Sequence, residues 1–392
     1  IRQELPNLRA ALEWCVDQPD EAETALAMVV ALSQATAWFT SATVAEGRRY
    51  VERALELPDR KPSLARVQAA MYAAWFAVLQ SDPCSTALVE RCHEEAGRLG
   101  ADDPLSLPRA YASYAAGLNL LFGGGDRRAI TELVSATEGF RRAEVPGMAH
   151  LACLYQALAG LRFHDLVVSD RASRQCLSNA ERHGDTTAIS WARWTRGLVE
   201  LDLGEVGPAR ARFRLSLRAQ RDLGAYWGTE WMVEGLAWCA AADGEPEFAA
   251  RLLGAADTLR AVSGRDGIGL SSFRDSHVEA TKLVLANLDQ AVYDAAFRIG
   301  AQCDYQGAIA LALGEPAVGT PSDPQPHEPH TLTRRQREVA ALVAQGLTSR
   351  DIAVRLYISR RTVETHLAKI MALLNVSTRV EVATWWSAQH DR

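Results

Sequence analysis

The sequence has few lysines and none of the short motifs that most often mark an active site. Only three lysines, Lys61, Lys282 and Lys369, occur in 392 residues, and none of them follows a glycine. The loop G-x-x-x-x-G-K-[ST], which binds nucleotide phosphates, is therefore absent. The motifs G-x-S-x-G and H-E-x-x-H, typical of a serine nucleophile and of a zinc-binding helix, are absent as well. These absences argue against an enzyme, and we expect the chain to use no cofactor.

Long apolar runs are also missing. No run approaches the roughly 18 residues that a membrane-spanning helix needs. The first residues do not combine a basic segment with a short apolar run, as a signal peptide would. We therefore expect a cytoplasmic protein with no membrane partner. Because the first residue is Ile1 and not Met, we expect the chain to be part of a longer parent protein.

The cysteines form no pairs in the sequence. There are seven of them and no C-x-x-C, so neither a disulfide framework nor a zinc site is indicated. Reduced thiols buried in the core are the favoured interpretation, and a redox role is the less favoured one. The cysteines are Cys15, Cys84, Cys92, Cys153, Cys176, Cys239 and Cys303. We expect no metal at the H-x-x-H formed by His327 and His330, because a proline-rich segment does not pre-organise ligands.

The composition favours helices. Apolar residues make up 48% of the chain and charged residues 23%, and Ala and Leu dominate over Val and Ile. The net charge of −6 is unevenly distributed. Residues 331–392 carry ten basic and five acidic residues, whereas residues 1–330 carry 32 basic and 43 acidic ones. A basic C-terminal part on an acidic body is typical of a protein that touches nucleic acid with one end.

A proline-rich segment divides the chain. Five prolines lie between Gly314 and His330, and such a segment cannot continue a helix and favours an extended tether. We therefore expect three parts: a helical sensor or interaction domain over residues 1–313, a linker over 314–330, and a small domain over 331–392.

The large domain repeats a loose pattern of small residues. A small residue is followed by Ala after twelve positions, by an apolar or small residue after sixteen, and by another small residue after nineteen. This spacing predicts helical hairpins in which a small residue on one helix lets the next helix approach closely. The copies are Gly117–Ala129–Leu133–Ala136, Gly160–Ala172–Cys176–Asn179 and Gly197–Ala209–Phe213–Ser216, a weaker Ala35–Gly47–Val51–Ala54, and one near Gly235 that needs a two-residue insertion. They start about forty residues apart and resemble tetratricopeptide repeats, which implies an all-α solenoid.

Tryptophans are concentrated in one part of this domain. Trp191, Trp194, Trp227, Trp231 and Trp238 lie within 48 residues of each other. Packing between repeats is the favoured interpretation for these rings. The alternative is that Trp227, Trp231 and Trp238 line a concave groove that takes a ligand.

The C-terminal part predicts four short helices around one small core. Thr333 and Gln336 form a capping box that begins the first helix, and Gly346 ends it. Thr348 caps a second helix, and Ser359 caps a third after a tight turn. A fourth helix runs through Val380, Ala383 and Trp386. A tight turn between the second and third of four helices is typical of a helix-turn-helix domain.

The same residues resemble the LuxR-type helix-turn-helix. The chain carries L-T-x-R-x-x-E-V from Leu332, G-L-T-x-x-x-I-A-x-x-L from Gly346, I-S-x-x-T-V-x-x-H from Ile358 and L-x-V-x-x-R from Leu374. The resemblance implies that the third helix enters the major groove of double-stranded DNA. It also implies that the fourth helix forms a homodimer on two-fold DNA sites.

Seven residues are the candidates for DNA contact. The resemblance places the base-reading positions at Glu364, Thr365 and Ala368, where other members carry lysines. Glu364 can accept from a cytosine amino group and Thr365 can touch a thymine methyl, although Glu364 as a solvated surface residue is an equal alternative. The expected phosphate contacts are Arg350, Arg361, Thr362 and Lys369. We expect His366 to pack within the domain and not to bind a ligand.

The rest of the chain is similar to large ATPase-containing LuxR-type regulators. Glu4–Trp14 resembles the stretch that follows their nucleotide-binding module, and the segments from Ala249 and Asp294 resemble the end of their helical region. This implies a parent protein with an ATPase that the present chain lacks.

The leading hypothesis is a DNA-binding transcriptional regulator whose repeats receive a small molecule or a partner protein. The alternative is an interaction scaffold whose terminal domain binds DNA weakly or only dimerises.

Overall fold

The computed structural model describes two separate units built from helices. The described residues are 4–35, 38, 44–57, 61–100, 103–224, 228–263, 271–315, 334–356, 363, 366–367, 370–371 and 378–390. The chain divides into Ile1–Val318 and Gly319–Arg392. Within the described ranges every regular element is helical, which confirms the all-α prediction.

The first unit contains sixteen α-helices among its described residues. The first eight are α1 Leu5–Asp17, α2 Ala22–Gln34, α3 Val44–Glu56, α4 Leu64–Leu79, α5 Ser85–Arg98, α6 Leu107–Asn119, α7 Arg128–Arg142 and α8 Pro146–Arg162. The others are α9 Leu166–His183, α10 Thr186–Asp202, α11 Val206–Asp222, α12 Thr229–Ala242, α13 Pro246–Ser263, α14 Ser271–Asn287, α15 Gln290–Ala301 and α16 Tyr305–Leu313. From α4 to α14 each helix packs on the next one along the chain, and one continuous hydrophobic core runs through the unit.

Small residues set the distance between successive helices, as their spacing predicts. A Cβ added to Gly117 on α6 would lie 2.6 Å from Cγ of Leu133 on α7. One added to Gly160 on α8 would lie 2.7 Å from the backbone nitrogen of Ser169 on α9. Real Cβ atoms do not approach so closely, so any larger residue at Gly117 or Gly160 would push the paired helices apart. The alanines of the pattern, Ala129 and Ala209 among them, are fully buried.

Several tight turns between helices share one hydrogen-bonding scheme. A residue with positive φ follows the helix, and the next backbone N–H donates to the carbonyl five residues earlier, as in a Schellman motif. His164, Gly204 and Gly244 have φ of +55°, +80° and +75°. The closing bonds run from Asp165 N to Gly160 O at 2.8 Å, from Glu205 N to Glu200 O at 2.8 Å and from Glu245 N to Ala240 O at 2.9 Å. The left-handed conformation suits glycine at two of these turns and strains His164 at the third.

The last helix of the unit turns back onto earlier helices. The short α16 contacts α11, α12 and α13. Glu315, directly after its C-terminal Gly314, accepts hydrogen bonds from Nη1 of Arg221 at 2.5 Å and pairs with Arg218 at 3.5 Å. The end of the described body is therefore fixed to α11.

The second unit has a core of its own. Its described helices are α17 Arg334–Ala344, α18 Ser349–Leu356 and α19 Arg379–His390. Residues from all three helices are buried together with Val363, Leu367 and Ile370 of the segment between α18 and α19. The helical members of that core are Val339, Ala340, Leu342, Val343, Ile352, Ala353 and Val382.

The strained turn gives the first prediction. His164 is exposed and its backbone nitrogen bonds to Leu161 O, so His164→Gly removes strain without removing a contact. We expect it to raise the free energy of unfolding by about 0.5–1 kcal/mol. Gly204 is the matched control, because no atom lies within 4 Å of its added Cβ and only backbone strain opposes a side chain. Gly204→Ala should lower the stability by a similar amount, and equal urea midpoints for both variants would contradict the turn assignment.

Candidate nucleic-acid interface

Hydrogen bonds hold both ends of the turn between the first two helices of the C-terminal unit. Gly346 ends α17 with φ of +80°, and Leu347 N donates to Leu342 O at 3.2 Å. Thr348 then caps α18: its hydroxyl donates to Oδ2 of Asp351 at 2.6 Å, and Asp351 N donates back to that hydroxyl at 3.2 Å. The predicted end of the first helix and the predicted cap of the second are confirmed. The capping box at Thr333 lies outside the described residues.

Part of the third predicted helix is described, and it faces the core. Val363, Leu367 and Ile370 are buried, with spacings of four and three residues that place them on one side of a helix. His366 is half-buried, in agreement with a packing role. Leu374 and the turn at Tyr357 and Ile358 lie outside the described residues.

The structure does not describe the side chains of the seven candidate DNA contacts. The side chains of Arg361, Thr362, Glu364, Thr365, Ala368 and Lys369 lie outside the described residues. Arg350 lies on α18, but its side chain is not described either. Their roles as DNA contacts therefore stay predictions. The support for these roles is that the candidate residues alternate in the sequence with the buried core residues of the third helix.

The fourth helix has a capping box that the sequence analysis missed. Thr378 N donates to Oε2 of Glu381 at 2.8 Å, and Glu381 N donates to the Thr378 hydroxyl at 3.3 Å. The signal was present in the sequence as T-x-x-E at the beginning of α19. α19 packs against α17, and Val382 is part of their shared core.

Arg379 joins the fourth helix to the turn before the second. Its guanidinium donates to the carbonyl of Leu347 and, through Nη1, to Oγ of Ser349 at 3.3 Å. Both acceptors belong to the segment that begins α18. Arg379 is therefore a positioning residue, because it fixes the orientation of α19 relative to the turn that precedes α18. This residue closes the L-x-V-x-x-R motif, but the sequence alone did not reveal its contacts.

Three tryptophans of the body form a packed cluster. The rings of Trp191 and Trp194 on α10 lie 5.5 Å apart, and each lies 5.9 Å from Trp231 on α12. Trp194 and Trp238 are buried, whereas Trp191 and Trp231 are half-buried. These four rings support the packing interpretation. Trp227, which the groove interpretation also used, lies outside the described residues.

The cysteines lie in or near the core. Five of the seven free thiols are buried, and Cys84 and Cys303 are half-buried. Burial raises the pKa of Cys239 to about 12 and that of Cys92 further. These thiols are therefore protonated at neutral pH, which agrees with the prediction of buried reduced cysteines.

Metal-binding clusters and membrane-spanning helices are both absent from the described residues. No group of three or more His, Cys, Asp or Glu side chains has a metal-binding arrangement in this part of the chain. None of the described helices combines the length and the apolar character required to cross a bilayer.

Comparison with known proteins places the C-terminal unit in a family. Residues 330–386 match the model described as "Bacterial regulatory proteins, luxR family". The chain is 31% identical over 277 residues to the "Putative HTH-type transcriptional regulator Rv0890c" of Mycobacterium tuberculosis (strain ATCC 25618 / H37Rv), a match that covers 69% of this chain and 29% of that protein. The matched 69% of the chain is several times longer than the C-terminal unit. The similarity therefore extends into the helical body.

Shorter matches link the chain to two other regulators. It is 38% identical over 65 residues to "Transcriptional regulatory protein LiaR" of Bacillus subtilis (strain 168), covering 17% of this chain and 30% of that protein. It is 41% identical over 54 residues to "Nitrate/nitrite response regulator protein NarL" of Escherichia coli (strain K12), covering 14% of this chain and 25% of that protein. The chain therefore spans less than a third of the length of each of these three relatives.

The contacts of Arg379 give the second prediction. Arg379→Ala removes two hydrogen bonds from a charged donor, so we expect local opening of α18 and α19 to become easier by about 1–2 kcal/mol. Hydrogen–deuterium exchange of the full chain, read by mass spectrometry on peptides from these helices, measures this change. Arg355→Ala is the control, because Arg355 is exposed on α18. Unchanged exchange in Arg379→Ala would show that the guanidinium does not hold α19 in place.

Proposed function

We propose that this chain, whose residues 330–386 form a luxR-type helix-turn-helix DNA-binding domain, regulates transcription. The observation that carries the proposal is the agreement between the family match and the core of the C-terminal unit. Three described helices and three buried residues of a fourth segment pack into one small core, as a helix-turn-helix domain requires.

The charge distribution supports contact with DNA through this domain alone. Residues 331–392 have five more basic than acidic residues, whereas residues 1–330 have eleven more acidic than basic ones. The acidic body is repelled by the phosphate backbone, and the basic domain is attracted to it. DNA should therefore dock on the C-terminal unit.

Within the domain we assign two kinds of contact. Arg350, Arg361, Thr362 and Lys369 bind phosphates and set the position on the duplex. Glu364, Thr365 and Ala368 face base edges in the major groove, where Glu accepts from cytosine and Thr and Ala contact thymine methyl groups. α19 joins two copies on a two-fold site.

The helical body is the part that receives the signal. Its small-residue spacing resembles that of tetratricopeptide repeats, and stacked helical hairpins offer extended surfaces for a small molecule or a protein. The similarity to Rv0890c extends into this body, so a sequence like that of the body also occurs in a relative whose name describes an HTH-type regulator. The chain carries out no catalysis in this proposal and acts in the cytoplasm, where its DNA is.

Binding of the full chain to fluorescent DNA duplexes tests the proposal. Anisotropy should show affinity that falls linearly with the logarithm of salt, with a slope of about 0.9 for each phosphate contacted. Selection from random duplexes should then give a two-fold motif.

Two variants separate the two kinds of contact. Arg361→Ala should weaken binding to every sequence alike and reduce the salt slope by about one, whereas Thr365→Ala should lower the preference at one base position by about 1 kcal/mol. Arg171→Ala removes the same charge from the exposed surface of α9 and should leave both quantities unchanged. Absence of DNA binding even at low salt would favour the alternative, an interaction scaffold. The observation behind that alternative is that Glu364 and Ala368 stand where other members of the family carry lysines.

A further inference from the structure

The helices α14 and α15 carry a concentration of exposed apolar side chains. The described part of the chain exposes thirteen large apolar residues, and five of them lie within 22 residues of these two helices. They are Val278, Leu283, Leu285, Val292 and Ile299. Single exposed apolar residues are ordinary on a protein surface, but such a concentration is typical of a surface that another protein covers.

One face of α15 is seated tightly on α13. Gly300 on α15 and Gly254 on α13 lie where the two helices meet, and a Cβ added to either glycine would strike the backbone of the facing helix. Ala296, one turn before Gly300, is buried as well. The backbone of α15 is therefore held firmly on its inner side, and its outer face has a fixed orientation.

The outer face of α15 has an apolar edge and a charged edge. Val292 and Ile299 are 42% and 52% exposed and lie two helical turns apart along one edge. Asp294 and Arg298 lie four positions apart along the other edge, and both are exposed. Ala295 lies between the two edges and is also exposed. Because its side chain is small, another helix can approach α15 closely at this point.

Both charges of this edge are available to a partner. Nε of Arg298 donates to the backbone oxygen of Asp294 at 3.1 Å, and Nε2 of Gln290 donates to Oδ1 of Asp294 at 2.8 Å. Oδ2 of Asp294 and the terminal amino groups of Arg298 make no hydrogen bond or ion pair with a described residue. A carboxylate oxygen and a guanidinium are thus exposed side by side on one helix.

The two edges fit a second copy of α15 that runs antiparallel across a two-fold axis. Such an axis reverses the helix direction and leaves each edge facing the same edge of the second copy. An axis between positions 295 and 296 places Val292 opposite Ile299 of the second copy. It also places Asp294 beside Arg298 of the second copy, once on each side of the axis. A parallel pair would instead set the charged edge against the apolar edge, which is unfavourable.

We propose that two copies of this chain associate through α15 in this antiparallel arrangement. The face is complementary to itself in charge and in apolar character, which favours a second copy over a different protein. One 12-residue helix per copy makes a small interface, so we expect a reversible dimer with a Kd of about 10–100 µM. In a regulator it brings two DNA-binding units together. That role rests on the proposed function, whereas the association itself does not.

Sedimentation equilibrium of the full chain without DNA tests the proposal. Between about 5 and 200 µM the average mass should rise from that of one chain towards that of two. Ile299→Asp places a charge on the apolar edge, and the two-fold axis repeats this change, so the Kd should increase at least about tenfold. Val134→Asp is the matched control, because Val134 is 44% exposed on α7, and it should leave the Kd unchanged.

Reversal of the charged edge tests the antiparallel arrangement. Asp294→Arg faces Arg298 of the second copy with a like charge, and Arg298→Asp does the same to Asp294. Each single variant should increase the Kd at least about threefold. The double variant exchanges the two charges and should restore the Kd to within about twofold of the unchanged chain. A different protein as partner would not follow the exchange, so only self-association is rescued. Circular dichroism checks the folding of each variant.

The outcomes separate this inference from the proposed function. A chain that stays monomeric at about 200 µM overturns the surface. A dimer that neither Ile299→Asp nor the charge reversals weaken also overturns it, because another surface, such as α19, then joins the copies. Weakening without rescue in the double variant overturns the two-fold arrangement. Dimerisation through α15 in a chain that fails to bind DNA upholds this inference and overturns the regulator.

Discussion

The helical body depends on one ring held between two glycines. Phe213 on α11 is fully buried. A Cβ added to Gly197 on α10 would lie 2.9 Å from Cε1 of this ring, and one added to Gly235 on α12 would lie 2.8 Å from its Cζ. Because the ring touches backbone on both sides, it cannot move away from one helix without striking the other. Phe213 therefore sets the separations of α10 from α11 and of α11 from α12 together.

This constraint also brings charged side chains of α10 and α11 together. Glu200 lies one turn after Gly197 on α10, and Arg212 directly precedes Phe213 on α11. The closeness of the two helices brings Nε of Arg212 within 3.4 Å of Oε1 of Glu200. Packing that the chain needs for stability thus holds Arg212 beside the buried carboxylate of Glu200.

Much of this arrangement was predictable from the sequence. The small-residue spacing identified Gly117, Gly160 and Gly197 as points of close approach, because helical periodicity turns spacing directly into shared faces. In the C-terminal unit the T-x-x-D at Thr348 and the glycine at Gly346 fixed where helices begin and end, because caps act on neighbouring residues.

Features that depend on distant residues were not predictable. The contacts of Arg379 with Leu347 and of Arg212 with Glu200 join segments with no common local pattern. Only the three-dimensional structure reveals such pairs, since a sequence shows which groups are charged but not which of them lie close together.

The packing of the Phe213 ring between two glycines can be tested by adding a single methyl group. Gly197→Ala should lower the free energy of unfolding by about 1–3 kcal/mol, measured by urea denaturation of the full chain with the fluorescence of the nearby tryptophans as the signal. Gly207→Ala is the control, because Gly207 lies on α11 with no atom within 4 Å of its added Cβ. It should leave the stability unchanged or raise it slightly. Equal stability of Gly197→Ala and Gly207→Ala would show that the ring does not fix the separation of the helices.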